Sequence, residues 1–349
     1  MKQRIVSGIK PSGDVHIGNY LGAIAQWVTL QDQYDAVLFI ADLHAVTVPQ
    51  KPADLRRRTL EIAKIYLASG IDPEKVTMFV QSQVPEHAEL CWLLNTVTRN
   101  GDLTKMTQFK DKSGFDIEQF ENSLESSDAK ESFQLLKEKF NASPVGLFDY
   151  PVLMAGDIMM YDAKFVPVGD DQVQHIELAR TLGRRFNKQF GEMFQLPQPL
   201  LQTEGSRIMA LDNPEKKMSK SGASDYGYIA LMDTPEDARK KIMRAVTDSD
   251  ATIRYDATRK GLYNLITMYS LLTQKSGAEV EALYTGKGYA DFKKDLGDIV
   301  ADFLENFQEK YASISDEEVL KTLQQGAEKA RVLAHTKVQK IKSAMGFLQ

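Results

Sequence analysis

The first eighty residues alternate between short apolar runs and longer amphipathic segments. The apolar runs at 4–9, 36–40 and 76–80 have the length and continuity of strands buried on both faces. Between them, residues 18–30 and 53–69 carry apolar side chains at helical spacing. This order of strands and helices predicts a doubly wound parallel sheet, in which ligands bind at the carboxyl ends of the strands.

The middle of the chain continues this pattern less regularly. We expect helices at 85–97 and 103–109, separated by an Asn-Gly turn at 100–101, and then a fourth strand at 165–168 followed by a helix at 172–186. These elements extend the predicted sheet by one strand.

Residues 113–145 differ in character from their surroundings. Their first part is acidic with few apolar side chains, whereas 133–140 has the pattern of an amphipathic helix and 141–144 that of a loop. We interpret this stretch as a surface insertion, partly ordered, that is structural or faces a partner and is not catalytic.

After residue 222 only helical patterns remain. Thr234 is a favourable N-cap, with Pro235 at the first helical position and two acids behind it. Helices are predicted at 235–246, 261–273, 277–284, 290–312 and 316–346. The predicted fold is therefore α/β, with a Rossmann-like doubly wound domain over 1–222 and an α-helical domain over 223–349.

Composition narrows the possible functions. The chain has 349 residues, of which 43% are apolar and 26% charged, as in ordinary globular proteins. A formal net charge of −5 argues against indiscriminate binding to polyanions, so a nucleic acid would have to meet a local basic surface. The single cysteine excludes disulfides within the chain and thiolate zinc sites. No apolar run approaches the roughly 18 residues of a membrane span, and we expect a soluble cytoplasmic protein.

Two short stretches carry candidate chemistry. Residues 216–222, Lys-Lys-Met-Ser-Lys-Ser-Gly, form a potential loop of cations and hydroxyls that could contact a polyanion, although such a short stretch alone is more often a solvated turn. Residues 9–20 bring a glycine turn, His16 and Asn19 to the predicted start of a helix, where free N–H groups favour phosphate.

At one edge of a sheet, these two stretches would suit cleavage of ATP at its α-phosphate. The cations would neutralise the charge on departing pyrophosphate, and a substrate carboxylate could itself be the nucleophile. The chain has neither a Walker A sequence nor a G-x-G-x-x-G fingerprint, which disfavours ordinary kinases and dehydrogenases.

Acidic residues mark two further places. Asp157 lies in the apolar stretch 151–161, where a buried carboxylate needs partners; a surface-facing position is an equally good reading of the sequence. Asp170 and Asp171 follow the fourth predicted strand, and they are also what an ordinary acidic helix start would contain.

The two stretches resemble the HIGH and KMSKS signatures of class I aminoacyl-tRNA synthetases. Further stretches resemble the bacterial tryptophanyl-tRNA synthetases in order and spacing, at 7–13, 16–23, 106–110, 166–172 and 245–249. The resemblance covers nearly the whole chain except 113–145. It implies an enzyme that activates tryptophan with ATP, accompanied by Mg²⁺ and with no structural metal, and then transfers it to the 3′-terminal adenosine of tRNA(Trp).

The resemblance also implies roles for individual residues. The residues expected to act in catalysis are Lys217, Lys220, His16 and Lys112. Those expected to bind ATP are Lys10, Pro11, Ser12, Gly18, Asn19, Gly169, Asp170, Asp171, Ile208, Lys217, Met218, Ser219, Lys220 and Ser221. Those expected to bind tryptophan are Asp157 as acceptor of the indole N–H, together with Met154, Tyr150, Gln172, Val166, Val168 and His44. The family further implies a homodimer and anticodon recognition by the helical domain.

Two residues depart from the family pattern. Lys10 stands where many members have glutamine, and Val6 stands where an aromatic side chain often stacks on the indole. Three other functions stay open: tyrosyl-tRNA synthetase, a small-molecule nucleotidyltransferase, and a non-catalytic paralogue that binds RNA or an amino acid. The Pro-Ser-Gly form of the first motif disfavours a tyrosyl-tRNA synthetase, and the helical domain disfavours a small-molecule nucleotidyltransferase. The presence of His16, Lys217 and Lys220 disfavours a non-catalytic paralogue.

Overall fold

The computed structural model describes residues 2–13, 15–117, 119, 130–201, 207–220, 224–250 and 252–348, without the side chains of 130–133. Its centre is a parallel five-stranded sheet in the order β3-β2-β1-β4-β5. The strands are β1 (Arg4–Ile9), β2 (Asp35–Ile40), β3 (Val76–Val80), β4 (Phe165–Val168) and β5 (Gln198–Leu201). From β1, the strands β2 and β3 are added on one side and β4 and β5 on the other. The sheet is therefore doubly wound, as predicted, with its switch point between β1 and β4.

The other regular elements of the described chain are helices. The first helical segment runs through α1 (Ile17–Asn19), a π-helical turn (Tyr20–Ile24) and α2 (Ala25–Leu30). The others before the predicted domain boundary are α3 (Asp42–Ala45), α4 (Pro52–Ala68), α5 (Glu86–Asn95), α6 (Asn100–Leu103), α7 (Thr107–Ser113), α8 (Lys130–Ala142), α9 (Val145–Met160) and α10 (Val173–Phe190). Those after it are α11 (Pro235–Arg244), α12 (Lys260–Thr273), α13 (Gly277–Leu283), α14 (Tyr289–Ser313) and α15 (Asp316–Met345).

Four local features differ from the sequence expectations. The strand β5 was missed, because Pro197 and Pro199 obscure its apolar pattern. The predicted Asn-Gly turn at 100–101 instead begins α6, and the helix expected at 103–109 lies at Thr107–Ser113. The loop expected at 141–144 is shorter, since α8 continues to Ala142.

Each face of the sheet contacts its own hydrophobic core. Alternating strand residues divide between them, so that Ile5 and Leu38 enter one core while Val6 and Phe39 enter the other. The first core also contains side chains of α4 and of α11 to α14, and the second contains side chains of α5, α9, α10 and α15. The helices after residue 222 therefore pack on both faces of the sheet.

The last helix, α15, returns to the sheet through a close backbone contact. A Cβ atom on Gly326 would lie 1.8 Å from Met78 O, so only glycine allows this approach. Along the same helix, Arg331 Nε donates to Gln83 O at 2.7 Å, and Lys342 Nζ lies 2.8 Å from Glu89 Oε1. Within the described ranges, no helix has the length and apolar character that crossing a membrane requires.

Candidate active site

The segment after β1 turns sharply at the carboxyl edge of the sheet. Ser12 N–H donates to Lys10 O at 2.8 Å, and Gly13 has a φ of +77°, in the left-handed region that favours glycine. Pro11 is buried beneath this turn, whereas Ser12 is exposed. The turn therefore presents Ser12 at the edge where the sequence placed a nucleotide.

His16 caps the helical segment that follows. Asn19 N–H donates to His16 Nδ1 at 3.2 Å, and His16 N–H donates to Asn19 Oδ1 at 3.0 Å, which is a reciprocal capping box. Burial and the nearby Lys217 ammonium lower the pKa of His16 to about 4. The imidazole is therefore neutral near pH 7, and because Nδ1 accepts, the proton is assigned to Nε2.

The lysine stretch begins as one arm of a small hairpin. Met218 N–H donates to Ile208 O at 3.0 Å, Ala210 N–H donates to Lys216 O at 2.8 Å, and Met209 pairs with Lys217. Ile208 and Met218 are buried at 2% exposure, while Lys217 and Lys220 are exposed and Ser219 is half-buried. The hairpin thus buries its apolar residues and leaves three lysines, Lys216 among them, facing solvent; Ser221 lies outside the described residues.

The two predicted stretches meet at Gly18. A Cβ atom there would lie 3.0 Å from His16 Nδ1 and 3.4 Å from Met218 Cβ, so the glycine leaves just enough room for both neighbours. Together with the effect of Lys217 on the pKa of His16, this contact places the lysines beside the helix start. The prediction that both motifs share one edge of the sheet is confirmed.

Two further lysines stand close to each other near this edge. Burial, and then the positive charge of Lys112, lower the pKa of Lys10. Lys112 Nζ lies 5.1 Å from the ring centroid of Tyr150 and donates to Gln108 Oε1 at 3.3 Å. Burial lowers the pKa of Lys112 as well. Two neighbouring cations with lowered pKa values favour an anionic ligand between them.

Asp157 is buried, with 1% exposure, so it does not face the surface from α9. Its Oδ1 accepts hydrogen bonds from Gln81 Nε2 at 2.7 Å and His87 Nδ1 at 2.6 Å, and its Oδ2 accepts one from His44 Nε2 at 2.8 Å. Burial alone would raise the pKa of this carboxyl, but the hydrogen bonds from His44 and His87 outweigh it and lower the pKa to about 2. Asp157 is therefore a fixed carboxylate.

Three side chains of this region were not found from the sequence. His87 and Gln81 are fully buried, and His87 Nε2 also lies 2.7 Å from the Tyr161 hydroxyl. His175 Nε2 lies 3.0 Å from the Tyr150 hydroxyl, and burial lowers the pKa of His175 to about 4. Neither a histidine near a helix start nor a glutamine after a strand gives a local indication of a partner seventy or more residues away, so only the fold reveals these contacts.

The predicted walls of the tryptophan pocket belong to one core. Val166 and Val168 of β4 are buried together with Val6 of β1, and Met154 packs against the same cluster. Phe39 lies there too, with its ring centroid 5.7 Å from that of His87. An aromatic side chain is therefore present in this core although position 6 holds valine.

The acidic segment after β4 forms a 3-10 turn, Asp170–Gln172, before α10 begins at Val173. Asp170 and Asp171 are exposed, and Gln172 Nε2 donates to Asp171 Oδ2 at 2.6 Å. A Cβ atom on Gly169 would lie 3.1 Å from Asp171 Oδ1. The segment stands at the carboxyl end of β4, beside the switch point of the sheet.

Comparison with known proteins agrees with this geometry. The family described as tRNA synthetases class I (W and Y) matches residues 1–305. The tryptophan–tRNA ligase of Caldanaerobacter subterraneus subsp. tengcongensis is 48% identical over 347 residues, and that of Helicobacter pylori strain J99 is 44% identical over 347 residues; each match covers 99% of both chains. The tryptophanyl-tRNA synthetase of Mycoplasma pneumoniae has a TM-score of 0.86 at 35% identity, covering 100% of this chain and 99% of that one. The Campylobacter jejuni enzyme, solved with ADP and tryptophan, has a TM-score of 0.77 at 34% identity, covering 99% and 100%.

A doubly wound sheet whose carboxyl edge joins these two motifs, together with the family match, defines the class. The chain belongs to the class I aminoacyl-tRNA synthetases, in the group for tryptophan and tyrosine. Within that group it belongs to the tryptophan–tRNA ligases, whose members match it from end to end. The resemblance drawn from the sequence is confirmed, and ATP is a substrate of this class.

Proposed function

We propose that the residues meeting at Gly18 carry out the activation step of tryptophan–tRNA ligation. The tryptophan carboxylate attacks the α-phosphorus of ATP; the new O–P bond gives tryptophanyl-adenylate as the bond to pyrophosphate breaks. The substrate is the nucleophile, so the protein contributes positioning and electrostatic stabilisation. The observation that carries this proposal is the contact of Gly18 with both His16 and Met218.

The cations at this edge would stabilise the departing pyrophosphate. Lys217 and Lys220 extend from the exposed arm of the hairpin, and Lys10 and Lys112 lie near each other. His16, neutral and protonated on Nε2, would donate a hydrogen bond to a phosphate oxygen. Mg²⁺ would enter bound to ATP, as part of the substrate.

The remaining nucleotide contacts are inferred from where the residues lie relative to the ends of the strands. Ser12, Asn19 and the Gly169–Asp171 segment would contact the ribose and adenine, since they lie where β1 and β4 end. Pro11, Ile208, Met218 and Ser219 would line the same site. Gly18 would let the nucleotide approach the backbone. The role proposed for Ser221 rests on the family motif alone.

Asp157 would accept the indole N–H of tryptophan. A carboxylate has about four acceptor directions, and protein donors occupy three of them, two on Oδ1 and one on Oδ2. One acceptor direction is therefore left on Oδ2, the oxygen that also accepts from His44. Because phenylalanine cannot donate there, the site should reject it strongly. Met154, Val166 and Val168 would enclose the indole, and Tyr150 and Gln172 would contact the ammonium group.

The transfer step and the assembly complete the proposal. The ribose hydroxyl at the 3′ end of tRNA(Trp), the 2′-hydroxyl in this class, would take the aminoacyl group. The helical domain proposed over 223–349, which packs on the catalytic domain proposed over 1–222, would contact the anticodon. The enzyme would act as a homodimer, and we place Trp92, which is 70% exposed on α5, at its interface. We place the enzyme in the cytoplasm.

Amino-acid-dependent ATP–pyrophosphate exchange tests this function directly. The assay is run with tryptophan, tyrosine and phenylalanine separately. Exchange with tryptophan alone would support both the adenylation chemistry and the role of Asp157. Exchange with tyrosine would keep the chemistry and overturn the pocket assignment. No exchange by the folded protein would favour a non-catalytic paralogue.

A further inference from the structure

Asn264 is a buried polar residue among mostly apolar buried residues of α12. It is 3% exposed, and its buried neighbours along the helix include Leu262, Leu265 and Ile266. A side-chain amide in such surroundings destabilises the fold unless it is paired. The hydrogen-bond partners of Asn264 therefore indicate its role.

Both polar atoms of the Asn264 side chain bind the backbone of a single residue. Met209 N–H donates to Asn264 Oδ1 at 2.8 Å, and Asn264 Nδ2 donates to Met209 O at 2.9 Å. The amide thus makes the two hydrogen bonds that a neighbouring strand would otherwise make with Met209. On the opposite side of the strand, Met209 pairs with Lys217 across the hairpin. One side chain of α12 fixes the hairpin arm that holds the lysines.

Beside this contact, α12 and the hairpin are not closely packed, although Ile208 and Met218 of the hairpin are buried in the core. A cavity of about 230 Å³ separates α12 from the hairpin beside this contact, lined by Arg207, Pro214 and Tyr263 among others. Lys260 Nζ lies 2.6 Å from Glu215 Oε2, but both side chains are more than half exposed, and such pairs contribute little. Because close packing is absent at the cavity, the two hydrogen bonds of Asn264 hold the hairpin at this point.

We propose that Asn264 is a positioning residue for pyrophosphate release: by clamping Met209 it sets where the backbone of Lys217 lies relative to His16. This inference rests on the role proposed above for the lysine stretch. Asn264 touches no reacting group; it acts through Met209 and the hairpin. The helix α12 also contacts the π-helical turn Tyr20–Ile24, so one helix touches the segments that carry both motifs.

The test compares Asn264→Leu, which removes both hydrogen bonds at similar volume, with Thr267→Val as a control. Thr267 is buried one turn further along α12 and donates only to Tyr263 O of its own helix, at 2.8 Å. We expect Asn264→Leu to lower the kcat of tryptophan-dependent exchange about 10- to 100-fold, since small misplacements of this kind are costly. The Kd for tryptophan, measured by calorimetry without ATP, should stay within about twofold, and Thr267→Val should retain the wild-type kcat.

A second variant provides a readout that a purely structural role would not give. In Asn264→Asp the side chain still accepts from Met209 N–H, but it can donate to Met209 O only when protonated. The ratio of variant to wild-type kcat should therefore rise as the pH is lowered. This measurement also applies if Asn264→Leu does not fold.

The outcomes separate this inference from the proposed role of the lysines. If Lys217→Met lowers kcat while Asn264→Leu leaves it unchanged, the clamp is refuted and the lysine role stands. If Lys217→Met has no effect, the role of the lysine stretch itself is refuted. An equal loss of tryptophan affinity and kcat in Asn264→Leu, or a pH-independent ratio in Asn264→Asp, would also overturn the clamp.

Discussion

His87 Nδ1 lies 2.6 Å from Asp157 Oδ1, and neither side chain is more than 2% exposed. Because an ionised carboxylate only accepts, the imidazole donates, and its other nitrogen lies against the Tyr161 hydroxyl. Asp157 is thereby held as an acceptor in one orientation before any ligand arrives. The buried carboxylate is therefore satisfied by protein donors, and its stability does not depend on the indole.

Replacing Asp157 should weaken tryptophan activation selectively. In Asp157→Asn the acceptor loses its charge, and we expect kcat/KM for tryptophan to fall about 10- to 100-fold, the range for losing a hydrogen bond to a charged group. Asp149→Asn is the matched control, because Asp149 lies on the same helix and accepts from Asn95 Nδ2 at 2.9 Å. Pyrophosphate exchange with varied tryptophan measures both; equal losses in the two variants would contradict the assignment.

His87 should set the acid limit of activity. Its hydrogen bond helps to lower the pKa of Asp157 to about 2, so in the wild type this carboxylate stays ionised throughout the working range. The His87→Leu variant lacks this hydrogen-bond donor, so less remains to offset the effect of burial, which favours the protonated carboxyl. The pKa of Asp157 should therefore rise. Activity should then be lost at higher pH as the solution is acidified.

The pH profile of kcat/KM for tryptophan between pH 5 and 8 checks this expectation. His87→Gln, which can supply an N–H donor, should move the profile back toward the wild type. A profile for His87→Leu that keeps the wild-type shape at reduced amplitude would show that His87 affects packing only.

Two buried histidines should make the fold sensitive to acid. Burial lowers the pKa of His16 and His175 to about 4, against 6.5 for an ordinary histidine. Below about pH 6.5 the unfolded chain therefore binds protons that the folded chain does not, and the free energy of unfolding falls until about pH 4. The expected loss is about 2 kcal/mol per histidine at pH 5.

Urea denaturation at pH 7 and pH 5 measures this loss. His16→Asn, which can still cap the helix, and His175→Gln should each lessen the difference between the two pH values. His335→Gln is the control, because the His335 side chain is 65% exposed. Unchanged pH dependence in the first two variants would rule out the two histidines as its source.

Gly18 should tolerate no side chain. In Gly18→Ala the new methyl group would lie 3.0 Å from His16 Nδ1, tighter than ordinary contact, and 3.4 Å from Met218 Cβ. We expect kcat/KM for ATP to fall at least about 10-fold while the Kd for tryptophan is retained. Gly101→Ala is the control, since a methyl group there meets nothing within 4 Å. Wild-type use of ATP by Gly18→Ala would contradict the proposed closeness of nucleotide and backbone.

Trp92 should hold the proposed dimer together. Replacing this exposed aromatic by a charge in Trp92→Glu should shift the protein toward monomer in sedimentation equilibrium, because burying the new carboxylate at an interface is unfavourable. Leu283→Glu is the control, as Leu283 is 48% exposed on α13. A monomeric wild type, or a Trp92→Glu variant that dimerises normally, would remove the support for this surface.

The sequence by itself determined the elements with strong local patterns. Four strands and the long helices follow from apolar spacing and from caps such as Thr234, because these depend on neighbouring residues alone. The two motifs also carried enough specific residues to indicate the family. A strand interrupted by prolines, such as β5, lacks that local pattern and was missed.

Only the tertiary structure decided the contacts between distant segments. The meeting of Gly18 with Met218, the donors around Asp157, the clamp of Asn264 on Met209 and the return of Gly326 to Met78 each join residues far apart in the chain. A sequence pattern records whether a side chain is polar or apolar, but the identity of its partner depends on how the whole chain packs. For this reason the motifs could be read from the sequence, whereas the residues that position them could not.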